Sequence, residues 1–171
     1  MIKSKRLDIR RIIGSDWKAI QEIWMEVSKI EYAKYDEPKN TKDEEVKKRI
    51  EKWASAYESS EHMFFAVCLE KTVIGYVAFN KRKDGYEMGY CFHPSYYRKG
   101  YAKESIQALI DMMKEKGVTR IIAGTAMDNI PSVNLLKSLN FKLNGNELVS
   151  FYKDNQGNNI FFTGGKFELA F

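Results

Sequence analysis

Cysteine is scarce in this chain: Cys68 and Cys91 are the only two, and each lies in an apolar run typical of a β-strand. No Cys-x-x-Cys pair is present, so the sequence offers no dithiol redox centre and no zinc site of that kind. His62 has no carboxylate or histidine at the spacing of a metal-ligand pair. We therefore expect reduced core thiols and no metal.

Long apolar runs are absent as well. No stretch approaches the roughly eighteen apolar residues that a membrane span needs, and the start "MIKSKRLDIR" lacks the apolar centre of a signal peptide. No low-complexity tract or repeat occurs. We expect one domain over residues 1–171, located in the cytoplasm and without a membrane partner.

The excess of positive charge is modest, with a formal net charge of +5. It favours anionic partners such as nucleic acid, an anionic membrane surface or a polyphosphate cofactor. A nucleic-acid binder is expected to interleave basic residues with exposed aromatic ones, whereas the aromatic residues here mostly occupy periodic, core-like positions. A small basic nucleic-acid-binding module is therefore only an alternative.

Hydrophobic periodicity predicts elements in the order βααβββαβαββ. The second helix is predicted to begin with a capping box of Thr41 and Glu44 and to reach Tyr57. Gly117 and Asn140 are predicted to end the third and fourth helices, and the last two strands to span 148–153 and 159–171. The order predicts an α/β (α+β) domain, with about four helices flanking a mixed, mostly antiparallel sheet of about seven strands.

The segment "YYRKGYA" joins a strand ending near Phe92 to a helix beginning near Gly100. The unpaired N–H groups of a helix start attract anions, and Gly100 removes the Cβ that would keep a phosphate away from the backbone. Arg98 and Lys99 add positive charge. These features predict a cradle for a diphosphate, although an ordinary connection with solvated cations explains them as well. Neither a Walker loop nor a Rossmann fingerprint is present.

Two separated motifs in this chain resemble the GNAT superfamily of N-acetyltransferases, in particular its branch of ribosomal-protein N-terminal acetyltransferases, the Rim type. They are "EMGYCFHPSYYRKGYAKESI" and "NIPSVNLLKSLNF". Leu136 occupies the place where many members carry a tyrosine acid, so that role is not carried over. The positions that match the cofactor loop are Tyr97, Arg98, Lys99, Gly100, Tyr101 and Ala102, and those that match the later motif are Asn129, Ser132, Lys137 and Phe141.

The resemblance implies an acetyl-CoA N-acyltransferase-like fold that holds acetyl-CoA in a V-shaped gap between the fourth and fifth predicted strands. Backbone groups around Cys91, Phe92 and His93 would pair with the pantetheine arm. Amides in the range 98–102 would hold the pyrophosphate, and Asn129 would hydrogen-bond the pantetheine. The implied reaction is transfer of an acetyl group to a primary amine, on a protein N-terminus or a small molecule, by direct attack on the thioester.

Catalytic roles are predicted for Glu87 and Ser132. Glu87 is expected to accept the proton of the amine, directly or through water, because it lies in an otherwise apolar strand that the resemblance places beside the thioester. An exposed cross-strand ion pair is the alternative. Ser132 is a candidate donor of a proton to the thiolate, while a serine at this position also commonly caps a helix.

The loop "IEYAKYDEPKN" is predicted to receive a cationic amine through its charged and aromatic side chains. A solvated connector explains the same composition. The aromatic residues of the last two strands either wall the acceptor side or pack in the core or in a homodimer. A CoA sensor without activity is a further alternative, and the acceptor and the acyl length stay open. The candidate acceptor residues of the loop are Glu31, Tyr32, Tyr35, Asp36 and Glu37.

Overall fold

The computed structural model describes residues 1–56 and 61–171, so the predicted helical position of Tyr57 lies outside the described residues. The described residues form four α-helices and eight strands. The helices are α1 Trp17–Val27, α2 Asp43–Ser55, α3 Tyr101–Glu115 and α4 Ile130–Ser138. The strands are β1 Ile2–Lys3, β2 Leu7–Arg11, β3 His62–Leu69, β4 Thr72–Arg82, β5 Gly85–Phe92, β6 Arg120–Ala126, β7 Lys142–Lys153 and β8 Asn159–Ala170.

The eight strands form one sheet in the order β1-β2-β3-β4-β5-β6-β8-β7. Only β5 and β6 run parallel, and every other neighbouring pair is antiparallel. The predicted mixed, mostly antiparallel sheet with four helices is thereby confirmed. The strand in excess of seven is β1, whose Ile2 pairs with Ile9. Two residues are too few to show a period-two pattern in the sequence.

The observed ends of several helices and strands can be compared with those predicted from the sequence. Gly117 and Asn140 adopt the predicted left-handed conformation, with φ of 79° and 66°. The prediction of a capping box formed by Thr41 and Glu44 was wrong, because α2 begins only at Asp43 and its N-cap residue, Lys42, forms no side-chain cap. Strand β7 begins at Lys142, six residues before the predicted start, because its first half is polar and almost wholly exposed and so lacks an apolar alternation.

The helices cover both faces of the sheet and build two apolar layers. Helices α3 and α4 pack on one face, and α1 and α2 on the other. No helix among the described residues is long and apolar enough to cross a membrane. On the first face the buried helical residues are Ile106, Leu109, Ile110, Met113, Val133 and Leu136, and on the second they are Ile20, Trp24, Val46 and Ile50.

Candidate active site

Strands β5 and β6 separate soon after they meet. Their pairing is confined to Tyr86 with Ile121 and Glu87 with Ile122. Beyond these pairs β5 stays bonded to β4 as far as Phe92, while β6 stays bonded to β8 as far as Ala126. A wedge-shaped gap therefore opens between the two strands, at the place that the family resemblance implied. The exposed strand edge can bind an extended ligand as an added strand.

The register of β4 and β5 decides which backbone groups face this gap. The N–H of His93 donates to the carbonyl of Ile74 on β4 at 2.9 Å, and the pairing continues along β5 without a bulge. In an antiparallel pair, alternate residues direct their backbone groups to the same neighbour. The backbone groups of Cys91 and His93 therefore face β4, unlike what the resemblance implied, whereas those of Phe92 face the gap. The backbone groups of Met88 and Tyr90 face the gap as well. The sequence did not indicate these two residues, because it does not show which alternate residues of β5 bond to β4.

The connection from β5 to α3 forms a compact turn at the mouth of the gap. Gly100 is the N-cap residue of α3 with φ of 80°, and Arg98 is also left-handed with φ of 60°. The first N–H groups of a helix have no intrahelical acceptor, and they carry the positive end of the helix dipole. Arg98 and Lys99 are exposed, and the Lys99 ammonium donates to the carbonyl of Ser95 at 3.0 Å. This turn can hold an anionic group.

Asn129 and Ser132 lie at the start of α4. The side-chain oxygen of Asn129 accepts from the N–H of Ser132 at 3.3 Å, which makes Asn129 the N-cap residue. The Ser132 hydroxyl lies 2.7 Å from the hydroxyl of Tyr90. Burial raises the pKa of Tyr90 to about 12, with a smaller opposing effect of its bond to Ser132. This hydroxyl pair contains one predicted catalytic residue and one that the sequence did not indicate.

Glu87 lies at the closed end of the gap, where β5 still pairs with β6. Its carboxylate forms an ion pair with Arg82, and both side chains are partly exposed, by 41% and 49%. Glu87 shares a face of β5 with Gly89 and Cys91. A Cβ on Gly89 would meet no atom of residues 1–56 and 61–171 within 4 Å, so the surface between Glu87 and Cys91 is open in this part of the chain. A substrate atom can therefore approach Glu87 along this face.

A cavity of about 340 Å³ adjoins β5 on the face that carries α1 and α2. Asp36 is exposed at this cavity, but the surrounding protein removes part of its hydration and raises its pKa, against a smaller effect of Lys39. Burial raises the pKa of Cys91 to about 12. The cavity is lined by Trp24, Met25, Val27, Ser28, Lys29, Ala33, Asp36, Glu37, Pro38, Lys39, Thr41, Cys91 and Tyr152.

The predicted acceptor loop forms part of this cavity, but with different residues from most of those expected. A short 3-10 helix spans Glu31–Tyr35, and Ala33, Asp36 and Glu37 line the cavity, whereas Glu31, Tyr32 and Tyr35 do not. Tyr35 instead packs its ring edge on Phe162 of β8 at 5.2 Å. The hydroxyl of Tyr152 on β7 donates to the carbonyl of Ala33 at 3.4 Å. The last two strands thus hold the loop in place.

The described residues contain no group of three side chains that could hold a metal ion.

The chain matches the family profile of the acetyltransferase (GNAT) domain over residues 6–142. It is 32% identical over 149 residues to "Uncharacterized N-acetyltransferase YnaD" of Bacillus subtilis (strain 168), a match that covers 84% of this chain and 84% of that protein. The chain therefore belongs to the GNAT family of acetyltransferases, as its two motifs predicted.

Solved structures of the same fold extend over nearly the whole chain. One is the acetyltransferase of Salmonella typhimurium that modifies the N-terminal serine of ribosomal protein L7/L12, with a TM-score of 0.84, 17% identity and coverage of 98% of this chain and 96% of that one. Another is yncA, a putative acetyltransferase of the same organism solved with its cofactor acetyl-CoA. Its TM-score is 0.73, with 21% identity and coverage of 97% and 94%. The predicted similarity to the ribosomal-protein branch is a similarity of fold.

Proposed function

We propose that this protein is an acetyl-CoA-dependent N-acetyltransferase that transfers an acetyl group to a primary amine, on a protein N-terminus or a small molecule. The observation that carries the proposal is the gap between β5 and β6, which opens beside the N-terminus of α3. It provides a free strand edge for an extended amide-containing arm and an anion-binding turn for a pyrophosphate within one site.

The residues present fit the parts of acetyl-CoA. The backbone of Phe92 faces the gap, as do those of Met88 and Tyr90, and amides can pair there with the pantetheine. Gly100 keeps the backbone of the turn approachable, so the range 98–102 would receive the pyrophosphate, with Arg98 and Lys99 adding charge. The structure of yncA with acetyl-CoA and the name of the relative YnaD support this choice of co-substrate.

The reaction requires a neutral amine, whose nitrogen forms a bond to the thioester carbon while the carbon–sulfur bond breaks. Glu87 is our proposed proton acceptor for the amine, directly or through water. Ser132 is our proposed donor of the proton that the departing thiolate takes up. Most of the remaining acceleration comes from holding the two substrates in line. Leu136 stands at the position where many members of the family carry a tyrosine that acts as an acid. Its side chain is buried in the core, with none of its surface exposed.

The test measures CoA release from acetyl-CoA against N-terminal peptides, free amino acids, polyamines and aminoglycosides. We expect release with one class of amine. The Glu87→Gln variant should lose about a hundredfold in kcat, while Arg82→Gln, which removes the other half of the exposed ion pair, should stay within about threefold. Equal losses in both variants would assign Glu87 a structural role. Binding of acetyl-CoA without release for any amine would favour a CoA sensor.

A further inference from the structure

Arg6 lies between β1 and β2, far in sequence from the turn between β5 and α3 but in contact with it in space. Its Nε donates to the carboxylate of Glu104 on α3 at 2.7 Å, and its Nη1 donates to the carbonyl of Lys99 at 3.1 Å. The guanidinium also lies over the ring of Tyr101, with Cζ 4.5 Å from the ring centroid. Three separate contacts therefore fix the position of this cation.

The remaining nitrogen of Arg6, Nη2, points to the backbone of the turn. It would lie 3.3 Å from a Cβ built on Gly100. Within residues 1–56 and 61–171, Nη2 has no hydrogen-bond partner, and the side chain is 41% exposed. Two N–H donors on a fixed guanidinium are thus available beside the N-terminus of α3.

The charge of Glu104, in the first turn of α3, is compensated by Arg6. A carboxylate in the first turn of α3 would repel an anion that binds at the same helix end. Burial tends to raise the pKa of Glu104, but hydrogen bonds from Ser4 and Arg6 outweigh it and hold this pKa below the usual value. The carboxylate is therefore charged, and Arg6 both compensates its charge and is held by it.

We propose that Arg6 is a phosphate-binding residue of the coenzyme site, which donates its Nη2 hydrogens to a phosphate of the CoA moiety. This inference rests on the proposed function, because it concerns the same co-substrate. Arg98 and Lys99 lie on the turn itself, where the Lys99 ammonium already donates to the carbonyl of Ser95. Arg6 instead reaches the turn from the β1–β2 connection and is oriented in advance by Glu104 and Tyr101. A cation that is already ordered loses less conformational freedom when a phosphate binds.

The experiment is calorimetric titration of the purified protein with CoA, which needs no turnover. We expect Arg6→Gln to weaken CoA binding about tenfold or more, because a charge-assisted hydrogen bond is lost. The matched control is Lys5→Gln, which removes the same charge from the neighbouring exposed residue and should stay within about twofold. Thermal unfolding of each variant checks that the fold is kept.

Two further variants separate direct binding from compensation of Glu104. We expect the double variant Arg6→Gln/Glu104→Gln to bind CoA at least about fivefold more weakly than Glu104→Gln alone, because the donor is missing in it. Equal affinity of these two variants would overturn the proposal and leave Arg6 with the single role of neutralising Glu104.

Titration with 3′-dephospho-CoA identifies the phosphate. If Arg6→Gln binds 3′-dephospho-CoA more weakly than the parent protein does, the contact is with the pyrophosphate. If the two proteins bind this ligand equally, the contact is with the 3′-phosphate. Either result supports the proposal. Equal binding of CoA by the parent protein and Arg6→Gln would overturn this inference alone. Failure of the parent protein to bind CoA would overturn the proposed function, and this inference with it.

Discussion

The hydroxyl groups of Tyr90 and Ser132 lie 2.7 Å apart and connect β5 to the first turn of α4. Tyr90 belongs to β5 and α4 follows β6, so this contact joins elements from the two sides of the gap. Because burial raises the pKa of Tyr90 to about 12, its hydroxyl keeps its proton near neutral pH. Ser132 thus has a neutral hydrogen-bonding partner that fixes its orientation.

The first prediction concerns the serine of this pair. If Ser132 supplies the proton to the thiolate, Ser132→Ala should lower kcat about tenfold or more while the Kd for CoA stays within about twofold. Tyr90→Phe is the control, since it removes the partner hydroxyl and leaves the donor, and we expect a smaller loss of kcat. Steady-state kinetics and titration with CoA measure both quantities. Full activity of Ser132→Ala would exclude the role.

The turn between β5 and α3 was predictable from sequence because its signals are local. A strand, a glycine and a helix start follow one another within the segment 92–101, and the structure has Gly100 as the N-cap residue of α3. Arg6 was not predictable, because 98 positions separate it from Glu104 and only the pairing of β1 and β2 with the rest of the sheet brings the two together. Contacts between distant segments depend on topology, which periodicity does not encode.

The side-chain directions in the loop at residues 30–40 were not predictable from the sequence. Its composition indicated a role at the site, and its residues do line a cavity, but a short 3-10 helix turns Tyr35 onto Phe162 and leaves Asp36 at the cavity. A five-residue helix has no repeated apolar period from which side-chain directions can be read. Which carboxylates of this segment line the cavity, Asp36 and Glu37, therefore required the structure.

The second prediction assigns Asp36 to binding of the acceptor. An ionised carboxylate at the cavity attracts an ammonium group, so Asp36→Asn should raise the KM for the amine about tenfold and leave the Kd for CoA unchanged. The pKa of Asp36 is raised above its ordinary value of 3.8, so its carboxylate takes up a proton as the pH falls through that raised pKa. The KM of the parent protein for the amine should therefore rise over this range of pH. Steady-state kinetics over a range of acidic pH measure both effects.

The control for Asp36 is Glu45→Gln, which removes a carboxylate exposed in the first turn of α2 and outside the cavity. It should change the KM for the amine by less than about twofold. The backbone N–H of Asp36 donates to the carbonyl of Ala33 at 3.1 Å, and the substitution keeps this bond, so the loop should retain its shape. An unchanged KM in Asp36→Asn would place the acceptor elsewhere.

The third prediction concerns stability at alkaline pH. Burial raises the pKa of Cys91 from 9.0 to about 12, so between these values the unfolded chain loses a proton that the folded protein keeps. Tyr90 behaves in the same way between 10.0 and about 12. The free energy of unfolding should therefore fall as pH rises above 9, with a slope of up to about 1.4 kcal/mol per pH unit for each group.

Urea unfolding between pH 8 and pH 11 measures this slope. In Cys91→Ala the contribution of one titrating group is missing, so the decline between pH 9 and pH 10 should be shallower than in the parent protein. The substitution also removes packing, but that loss shifts the free energy of unfolding equally at every pH. Parallel curves for the two proteins would contradict the prediction.

The last prediction concerns Gly85, which holds the closed end of the gap. It begins β5 with φ of 142°, and a Cβ at this position would lie 2.2 Å from the carbonyl oxygen of Arg120 on β6. Gly85→Ala should therefore strain the backbone and separate the strands beside Tyr86 and Ile121, at a cost of about 2 kcal/mol or more in the free energy of unfolding. It should also weaken CoA binding, because the width of the gap depends on this contact. Gly89→Ala on the same strand is the control for stability, since its Cβ would meet no atom of the described residues within 4 Å. We expect it to stay within about 0.5 kcal/mol of the parent protein, and equal losses in both variants would show that close approach at Gly85 is not the cause.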